Sequence, residues 1–445
     1  MNEILRTKKN ELAVAVLFFT LMLGFCALAR LPLFIPFLLF FYSIHLILFK
    51  RVTGKRFLHL GLLLAVMVFT AVTMTDFSRF SPYYIPVSAA AMLTCLLFND
   101  LQLAFSMSLI VSAVVTLVIG AGVDFLLVFF ISGFVSGYLV KDARTRGTLL
   151  RAGFVVGIVQ VAGYFLFHPE FSRAAYVHEI KPLFINGLVS ALAVLGALKI
   201  FEYLFGELTN FSLLELSDAI HQPLLKRLAF EAPGTYHHSL ILSNLAGAAA
   251  DAIGANVLLV RVGAYYHDIG KLVKPHYFTE NQMMADSKHD ELEPSMSRLV
   301  ILNHVKEGVD IAVKNGFNDK ITDFIRQHHG TSLIHFFYQR ALEASDGAEV
   351  GEENYRYPGP KPQTKEIAIM MLADAVEGAT RSLEEHTQPK INEVVRRIVN
   401  NKFIDGQLDE CALTLREIDA ISRTFTKVLS SMYHVRVKYP DALQK

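Results

Sequence analysis

The sequence predicts an all-α protein, in which a polytopic transmembrane helical bundle is followed by an all-helical soluble domain. Apolar residues make up 53% of the 445 residues, above the roughly 45–50% expected of soluble proteins. Residues 1–205 carry 16 Lys+Arg and 9 Asp+Glu, whereas the remaining residues carry 26 and 32. The first part is therefore basic and apolar, and the second is acidic. A single soluble domain and a disordered chain are both excluded.

About eight transmembrane helices are predicted from runs of apolar residues. A span needs about 20 apolar residues to cross roughly 30 Å of hydrocarbon, and it must be helical because its backbone groups find no water in lipid. The candidate runs cover residues 12–29, 32–49, 57–75, 83–98, 102–121, 125–140, 152–167 and 183–204. The lipid bilayer is thus an expected partner of the chain.

The composition divides the chain into four predicted segments. Residues 1–31 form the cytoplasmic N-terminus and the first transmembrane helix, and residues 32–205 form a seven-helix transmembrane domain. Residues 206–230 read as an amphipathic connector helix, and residues 231–445 form the soluble domain.

Basic residues predict the orientation in the membrane. If the N-terminus is cytoplasmic, the inner segments hold 11 Lys+Arg and the outer loops hold 4. Cytoplasmic loops carry the excess of Lys and Arg, so both termini and the soluble domain are expected in the cytoplasm. His45 is essentially the only ionisable residue near the centre of a span. A proton or ion pathway is therefore disfavoured, and a membrane anchor that transmits a signal is favoured.

Two further classes are disfavoured by composition. The acidic second half argues against general DNA or RNA binding, which requires a basic surface. The three cysteines include no Cys-x-x-Cys pair, which argues against a disulfide framework or a thiolate zinc site.

Histidines of the soluble part are the candidates for chemistry, since twelve of the sixteen follow residue 205. His238 shares a helical face with Leu242, Leu245 and Ala249 and should point to the core, whereas His237 points away. On this helix alone, the favoured interpretation of His238 is a satisfied packing residue. His267 and Asp268 form an adjacent pair at the end of an apolar helix, in the motif HDIGK.

Three more segments add to this pattern. His304 lies in a helix where Leu299, Val300 and Val309 predict a buried stripe. His328 and His329 end the next helix, with Gly330 as the expected C-cap.

Asp374 lies in a strongly apolar helix. A buried carboxylate needs a metal ion or a charge partner such as Arg or Lys, and this segment alone leaves both open.

Together these segments give the order His, His-Asp, His, His-His, Asp. Imidazole and carboxylate ligands suit iron, manganese or zinc better than calcium. Seven such groups exceed the needs of one catalytic metal, so two divalent ions fit better, with Asp268 as the bridge. Two adjacent cations lower the pKa of a bridging water and hold a phosphoryl oxygen. The pattern therefore predicts hydrolysis of a phosphate ester.

This order of ligands resembles that of the HD-domain phosphohydrolases. Longer motifs are similar to those of the seven-transmembrane HD family, which includes the PgpH-type cyclic di-AMP phosphodiesterases, over roughly residues 32–445. They are EAPGTYHHSL, GAYYHDIGKL, NHVKEGVDIA, QHHGTSLIHFFY, YRYPGPKPQTKE and MLADAVEGATRSL. The Gly-Tyr-Pro motif of the related cyclic di-GMP enzymes is absent from the sequence.

The resemblance implies a bacterial inner-membrane phosphodiesterase that converts cyclic di-AMP to linear pApA by a two-metal-activated hydroxide, with iron or manganese as the metals. It implies that one ion takes His238, His267, Asp268 and Asp374. The other ion would share Asp268 and take the three histidines His304, His328 and His329. Lys271, about one helical turn after the His-Asp pair, is the expected phosphate contact beside Asp268.

The family usually has a large extracellular domain between its first two spans, and here only Arg30 to Pro32 join them. We therefore expect that the chain lacks this domain. Tyr338, Tyr355 and Tyr357 are candidates for stacking on adenine, although the polar segment 343–364 could equally be an ordinary surface loop. Two alternatives stay open: a phosphohydrolase of another nucleotide, and a non-catalytic nucleotide-binding signalling protein. Assembly into a homodimer is also left open.

Overall fold

The chain is described by a computed structural model covering residues 34–46, 54–76, 80–282, 292–344 and 350–433, with a few helical residues between 16 and 27. It divides into two compact units, Met1–Phe211 and Ser212–Lys445. Within the described ranges the regular elements are helices, and the only β-type pairing is an isolated bridge between Leu333 and Arg356. The all-α prediction is confirmed.

The first unit consists of apolar helices joined by short turns. Its described helices are α1 (Phe34–His45), α2 (Gly54–Asp76), α3 (Ser88–Phe98), α4 (Leu101–Ile119), α5 (Val123–Val140), α6 (Arg146–Phe167) and α7 (Lys181–Phe205). Local signals set their ends. Asp100, for example, accepts a hydrogen bond from the Leu103 amide to cap α4, and Gly120 ends that helix with φ +67°.

Five of these helices are long and apolar enough to cross a membrane, namely α2, α4, α5, α6 and α7 with its preceding turns. They match five of the predicted spans. The run 83–98 forms a 3₁₀ turn followed by the shorter helix α3. Within 32–49 only α1 is described, the His45 side chain lies outside the described residues, and most of 12–29 lies outside them too. The count of about eight spans is therefore not confirmed.

A buried polar network connects four helices of this unit. The Gln160 amide of α6 donates toward Asn186 Oδ1 of α7 (3.1 Å), Ser132 Oγ of α5 (3.3 Å) and Ser88 Oγ of α3 (3.4 Å). Asn186 also donates to the Ile85 carbonyl before α3. Polar side chains within spans face the interior of the bundle and pair there, which agrees with this arrangement.

Helices α6 and α7 approach closely through glycines. A Cβ built on Gly187 would lie 2.1 Å from the Gly153 carbonyl oxygen and 2.9 Å from Gly157 Cα. Small residues permit such approach in membranes, where van der Waals packing replaces the hydrophobic effect as the cohesive force between helices.

The second part of the chain is also helical. From residue 210 onward the helices are α8 (Asn210–Ser217), α9 (Pro223–Glu231), α10 (Pro233–Ala252), α11 (Val257–Tyr266), α12 (Pro294–Lys314), α13 (Asp319–Gln327), α14 (His335–Ala344), α15 (Lys365–Arg381), α16 (Gln388–Ile404) and α17 (Leu415–Met432). Helices α10, α11, α15, α16 and α17 enclose the main core, whose fully buried side chains include Leu242, Leu245, Met370 and Phe425.

The connector differs from the single helix that was predicted over 206–230. It is broken between α8 and α9 by a turn in which Asp218 Oδ1 accepts a hydrogen bond from the Ile220 amide. Pro223, which lacks an amide hydrogen, then begins α9. The prediction of one continuous connector helix is therefore wrong.

Candidate active site

The five predicted segments converge in the second unit. His238 comes from α10, and His267 and Asp268 lie between α11 and a 3₁₀ turn, Ile269–Val273. His304 lies in α12, His328 and His329 directly follow α13, and Asp374 lies in α15. Two groups have ligand atoms that all lie within 4.8 Å of one another and could each hold a metal ion: His304, His328, His329, and His238, His267, Asp268.

Backbone carbonyls orient three of these imidazoles. The Nδ1–H of His267 donates to the Ala264 carbonyl (2.9 Å), and that of His328 donates to the Ile325 carbonyl (2.8 Å). His304 makes the same contact with the carbonyl of the residue three positions earlier. Because a carbonyl only accepts, the proton lies on Nδ1 and each Nε2 keeps a lone pair, as in most histidine metal ligands.

The Nε2 lone pairs point into one shared space. His304 Nε2 and His328 Nε2 are 3.4 Å apart, and they lie 3.4 Å and 3.7 Å from Asp268 Oδ1. Among the described residues, His267 Nε2 and Asp268 Oδ1 are buried and have no hydrogen-bond partner. Lone pairs that face each other and a carboxylate repel unless a cation lies between them, so this donor set fits divalent metal ions.

Asp268 is the most connected carboxylate of the site. Its Oδ2 lies 2.7 Å from Lys271 Nζ and 3.1 Å from His267 Nε2. Burial alone would raise the pKa of this carboxyl, but its contacts with His267 and with the Lys271 ammonium outweigh burial and hold its pKa well below the usual range. Asp268 is therefore ionised, as a metal ligand must be.

Burial keeps the neighbouring imidazoles neutral. It lowers the pKa of His328 to about 3, with a further contribution from His267, and it lowers the pKa of His304 despite the nearby Asp268. The pKa of His329 is also lowered well below its usual value, chiefly by burial and by His328. Neutral imidazole is the form that binds metals.

The far side of the site contains a carboxylate that the sequence analysis missed. His238 Nε2 lies 3.1 Å from Asp374 Oδ1, and its Nδ1 lies 2.9 Å from Glu377 Oε2. Burial lowers the pKa of His238, but these two carboxylates outweigh it and raise that pKa to about 10, so a metal ion that binds Nε2 must displace a proton from it. Glu377 follows Asp374 by three residues on the same face of α15, a spacing that could have suggested it.

Lys271 lies in a buried ion triad. Its ammonium lies 2.7 Å from both Asp268 Oδ2 and Glu280 Oε1, and the two carboxylates raise the pKa of Lys271 against the effect of burial. Glu280 also accepts a hydrogen bond from Thr235 Oγ1. No pattern in the sequence distinguished Glu280 from an ordinary loop residue.

The three candidate tyrosines separate into two places. Tyr357 stacks on His329, with ring centroids 4.2 Å apart at 25°. Tyr355 is buried in a small apolar cluster with Phe337 and Ala341, and the half-buried Tyr338 packs against it with ring centroids 5.8 Å apart. The structure thus brings Tyr357 to the histidines and places Tyr338 and Tyr355 in a separate apolar cluster.

The buried face of α12 differs from the predicted one. Leu299 is 42% exposed, whereas the fully buried positions include Ser297, His304 and Gly308. A Cβ on Gly308 would come within 3.2 Å of the Gly270 amide. The contact is made by small residues because the 3₁₀ turn lies directly on this helix. The prediction that Leu299 is buried is therefore wrong, whereas Val300 and Val309 are half-buried.

Replacing Glu377 by glutamine should weaken metal binding about 10- to 100-fold, because a carboxylate behind a ligating histidine orients it and raises its basicity. Metal content after dialysis against graded chelator concentrations measures this effect. Glu384→Gln, at an exposed position just past the same helix, is the matched control. Equal metal retention in the wild type and Glu377→Gln would contradict the role of Glu377.

Comparisons with known proteins give one matching family model in each of the two units. A family model described as a 7TM receptor with intracellular HD hydrolase matches residues 12–209, and one described as the HD domain matches residues 235–379. The chain is 40% identical over 364 residues to the cyclic-di-AMP phosphodiesterase PgpH of Listeria monocytogenes, which covers 81% of this chain and 50% of that protein. The Bacillus subtilis PgpH is 39% identical over 373 residues, covering 82% and 52%.

The chain spans about half the length of these curated relatives. A crystal structure of the L. monocytogenes PgpH HD domain in complex with cyclic-di-AMP is 50% identical to the part it matches, and it covers 48% of this chain and 99% of its own, with a TM-score of 0.47. The matching models in both units and the identity to these relatives show the family. The chain belongs to the family of seven-transmembrane proteins that carry an intracellular HD hydrolase domain.

Proposed function

We propose that this protein is a membrane-anchored, metal-dependent phosphodiesterase that hydrolyses cyclic di-AMP to linear pApA. The observation that carries the proposal is the convergence of unprotonated imidazole nitrogens and the unpartnered Asp268 Oδ1 on one buried space. The relatives named as cyclic-di-AMP phosphodiesterases support the choice of substrate.

Two metal ions would be held by seven side chains, and both ions would bind Asp268. One would take His238, His267, Asp268 and Asp374, and the other Asp268 with His304, His328 and His329. When bound, such a pair of ions supplies a nucleophile at neutral pH and charge stabilisation for the reacting phosphate. The imidazole and carboxylate donors suit iron or manganese.

Lys271 would both position Asp268 and contact the phosphate. An ammonium has three N–H groups, and two of them face Asp268 and Glu280. The third is available to a phosphate oxygen beside Asp268. The ion triad holds the Asp268 carboxylate in place. Because Lys271 and Asp268 are little exposed, water is excluded from the ion pair between them.

We further propose that the four segments predicted from composition correspond to domains, and that the HD domain and both termini lie on the cytoplasmic side of a bacterial inner membrane. The five apolar helices and the family support a membrane location. The excess of basic residues in the predicted inner loops supports the orientation.

Product analysis tests the proposed function. The full-length protein, purified in detergent and loaded with manganese or iron, should convert cyclic di-AMP to pApA, and chelator should stop the reaction. A panel of cyclic di-GMP, cyclic AMP and guanosine polyphosphates identifies a different substrate if there is one. Binding of cyclic di-AMP without any product would instead favour a non-catalytic signalling protein.

Stacking of the tyrosines on adenine remains a prediction. If Tyr357 stacks on a base, Tyr357→Ala should raise KM for cyclic di-AMP about tenfold, because a base–aromatic stack contributes about 1–3 kcal/mol. Tyr357→Phe keeps the ring and should keep KM. Tyr338→Ala and Tyr355→Ala test the neighbouring cluster, each with a thermal melt because Tyr355 is buried. Unchanged KM in all three alanine variants would refute stacking.

A further inference from the structure

A cavity of about 550 Å³ lies beside the candidate metal ligands in the second unit. Two of its lining residues connect it to those ligands, since Ala375 follows Asp374 and the Ser332 amide donates a hydrogen bond to the His329 carbonyl (3.1 Å). Its volume falls within the range of small-molecule sites, about 300–1,000 Å³. Leu333, Ile398 and Ile404 provide apolar walls.

The cavity contains two basic side chains with very different partners. Arg356 is saturated, because its guanidinium donates to both carboxylate oxygens of Asp405, to Glu352 and to the Thr331 carbonyl. It thereby pairs with Asp405 and Glu352, the two carboxylates that line the cavity. Neither of these acids lies within ion-pair distance of the Lys402 ammonium.

Lys402 is the other basic residue. Its ammonium donates to Ser332 Oγ at 2.5 Å, and no carboxylate lies within ion-pair distance of it among the described residues. A half-buried ammonium with three donors and one hydroxyl partner lacks a counter-charge. Burial lowers the pKa of Lys402, against the fields of Asp374 and Asp405. The site therefore matches an anion that enters the cavity from outside the chain.

The proposed substrate contains such an anion. A cyclic dinucleotide contains two phosphodiesters, and only one can lie between the metal ions. The other phosphodiester and its nucleoside must lie nearby, in a place that supplies a cation for the phosphate and apolar walls for a base. The cavity supplies both, and Ala375, the residue that follows Asp374, is part of its lining.

We propose that this cavity accommodates the second nucleotide of the substrate and that Lys402 binds its phosphodiester. The inference rests on the proposed function and deepens it by naming a specificity residue for dinucleotides. Ser332 positions the Lys402 ammonium, and the Arg356–Asp405 pair forms the fixed rim of the cavity.

Two ligands, the product pApA and the mononucleotide AMP, isolate this contact. AMP carries only the terminal phosphate that would bind the metal ions, whereas pApA carries that phosphate and the internal phosphodiester. Titration of the manganese-loaded full-length protein in detergent gives the dissociation constant for each ligand without turnover. Lys402→Gln should weaken pApA binding about 10- to 100-fold, the usual range for a hydrogen bond to a charged group, and AMP binding less than about threefold.

Two further variants complete the experiment. Lys402→Arg retains a cation and should restore most of the pApA affinity. Lys390→Gln removes an exposed positive charge from the same helix, where Lys390 pairs with Glu385, and should leave both ligands unaffected.

The inference is overturned if Lys402→Gln binds pApA as the wild type does. It is equally overturned if pApA and AMP weaken by the same factor, because Lys402 would then only hold the loop at Ser332. The proposed function is tested apart from this, by whether the wild type hydrolyses cyclic di-AMP. If the wild type hydrolyses cyclic di-AMP but Lys402→Gln binds pApA with normal affinity, the proposed function stands and only the role of Lys402 is refuted.

Discussion

Replacing Asp268 by asparagine is expected to abolish hydrolysis of cyclic di-AMP, with a fall in kcat of about 10³-fold or more. Asp268 is the only ligand shared by the two proposed metal sites, and metal ions contribute several kcal/mol to stabilising the reacting phosphate. Asparagine keeps the shape of the side chain but removes the charge that faces His267, His304 and Lys271. Product analysis and elemental analysis should show both activity and bound metal reduced.

The fold should survive this change. Lys271 keeps Glu280 as a partner at 2.7 Å, so its charge is not left unpaired. The Asp268→Asn protein should still be recovered from the membrane fraction, with a melting temperature close to that of the wild type. Asp310→Asn, at an exposed position of α12, is the control of equal charge change. Normal turnover by Asp268→Asn would refute the two-metal site.

Replacing Gly270 by alanine is expected to destabilise the second unit by about 3 kcal/mol, at the upper end for an overpacked contact. A Cβ on Gly270 would lie 1.8 Å from the His304 carbonyl oxygen and 2.6 Å from the Gly308 amide nitrogen. These are backbone atoms, which cannot rotate away. The 3₁₀ turn with Lys271 must therefore move off α12, which separates Asp268 from His304.

Thermal unfolding and metal content measure the effect of Gly270→Ala. We expect a lower melting temperature and loss of bound metal in the same variant. Gly378→Ala in α15 is the matched control, since a Cβ there meets nothing within 4 Å, and alanine in a helix interior is favourable by up to about 1 kcal/mol. If Gly270→Ala melts and binds metal like Gly378→Ala, the close approach of the turn to α12 is not essential.

The ligand residues were predictable because each can be recognised from its own sequence segment. A histidine or aspartate inside an apolar helical segment, as at His238 or Asp374, stands out without knowledge of the fold. The same reasoning missed Glu377, whose role depends on His238, 139 residues away in sequence. Glu280 and Lys402 were missed for the same reason, since their partners come from distant elements.

The helices of the membrane part were predictable from the sequence, but the contacts between them were not. Runs of apolar residues identified the candidate spans, and five of them are long apolar helices in the structure. Hydropathy says nothing about which faces meet, so the contacts among Gln160, Ser132 and Asn186 were not foreseen. The break in the connector was missed because the amphipathic pattern over 206–230 was treated as a whole and Pro223 within it was not considered.

The amide of Gln160 has a consequence for how the chain assembles in a bilayer. Its partners belong to three other helices, one of which, α7, is synthesised after it. Until α7 arrives, Asn186 is missing and part of the Gln160 hydrogen-bonding capacity faces lipid, where an unmet polar group is costly. Partly assembled intermediates are thereby disfavoured, and α3, α5, α6 and α7 should associate as one cooperative step during biogenesis.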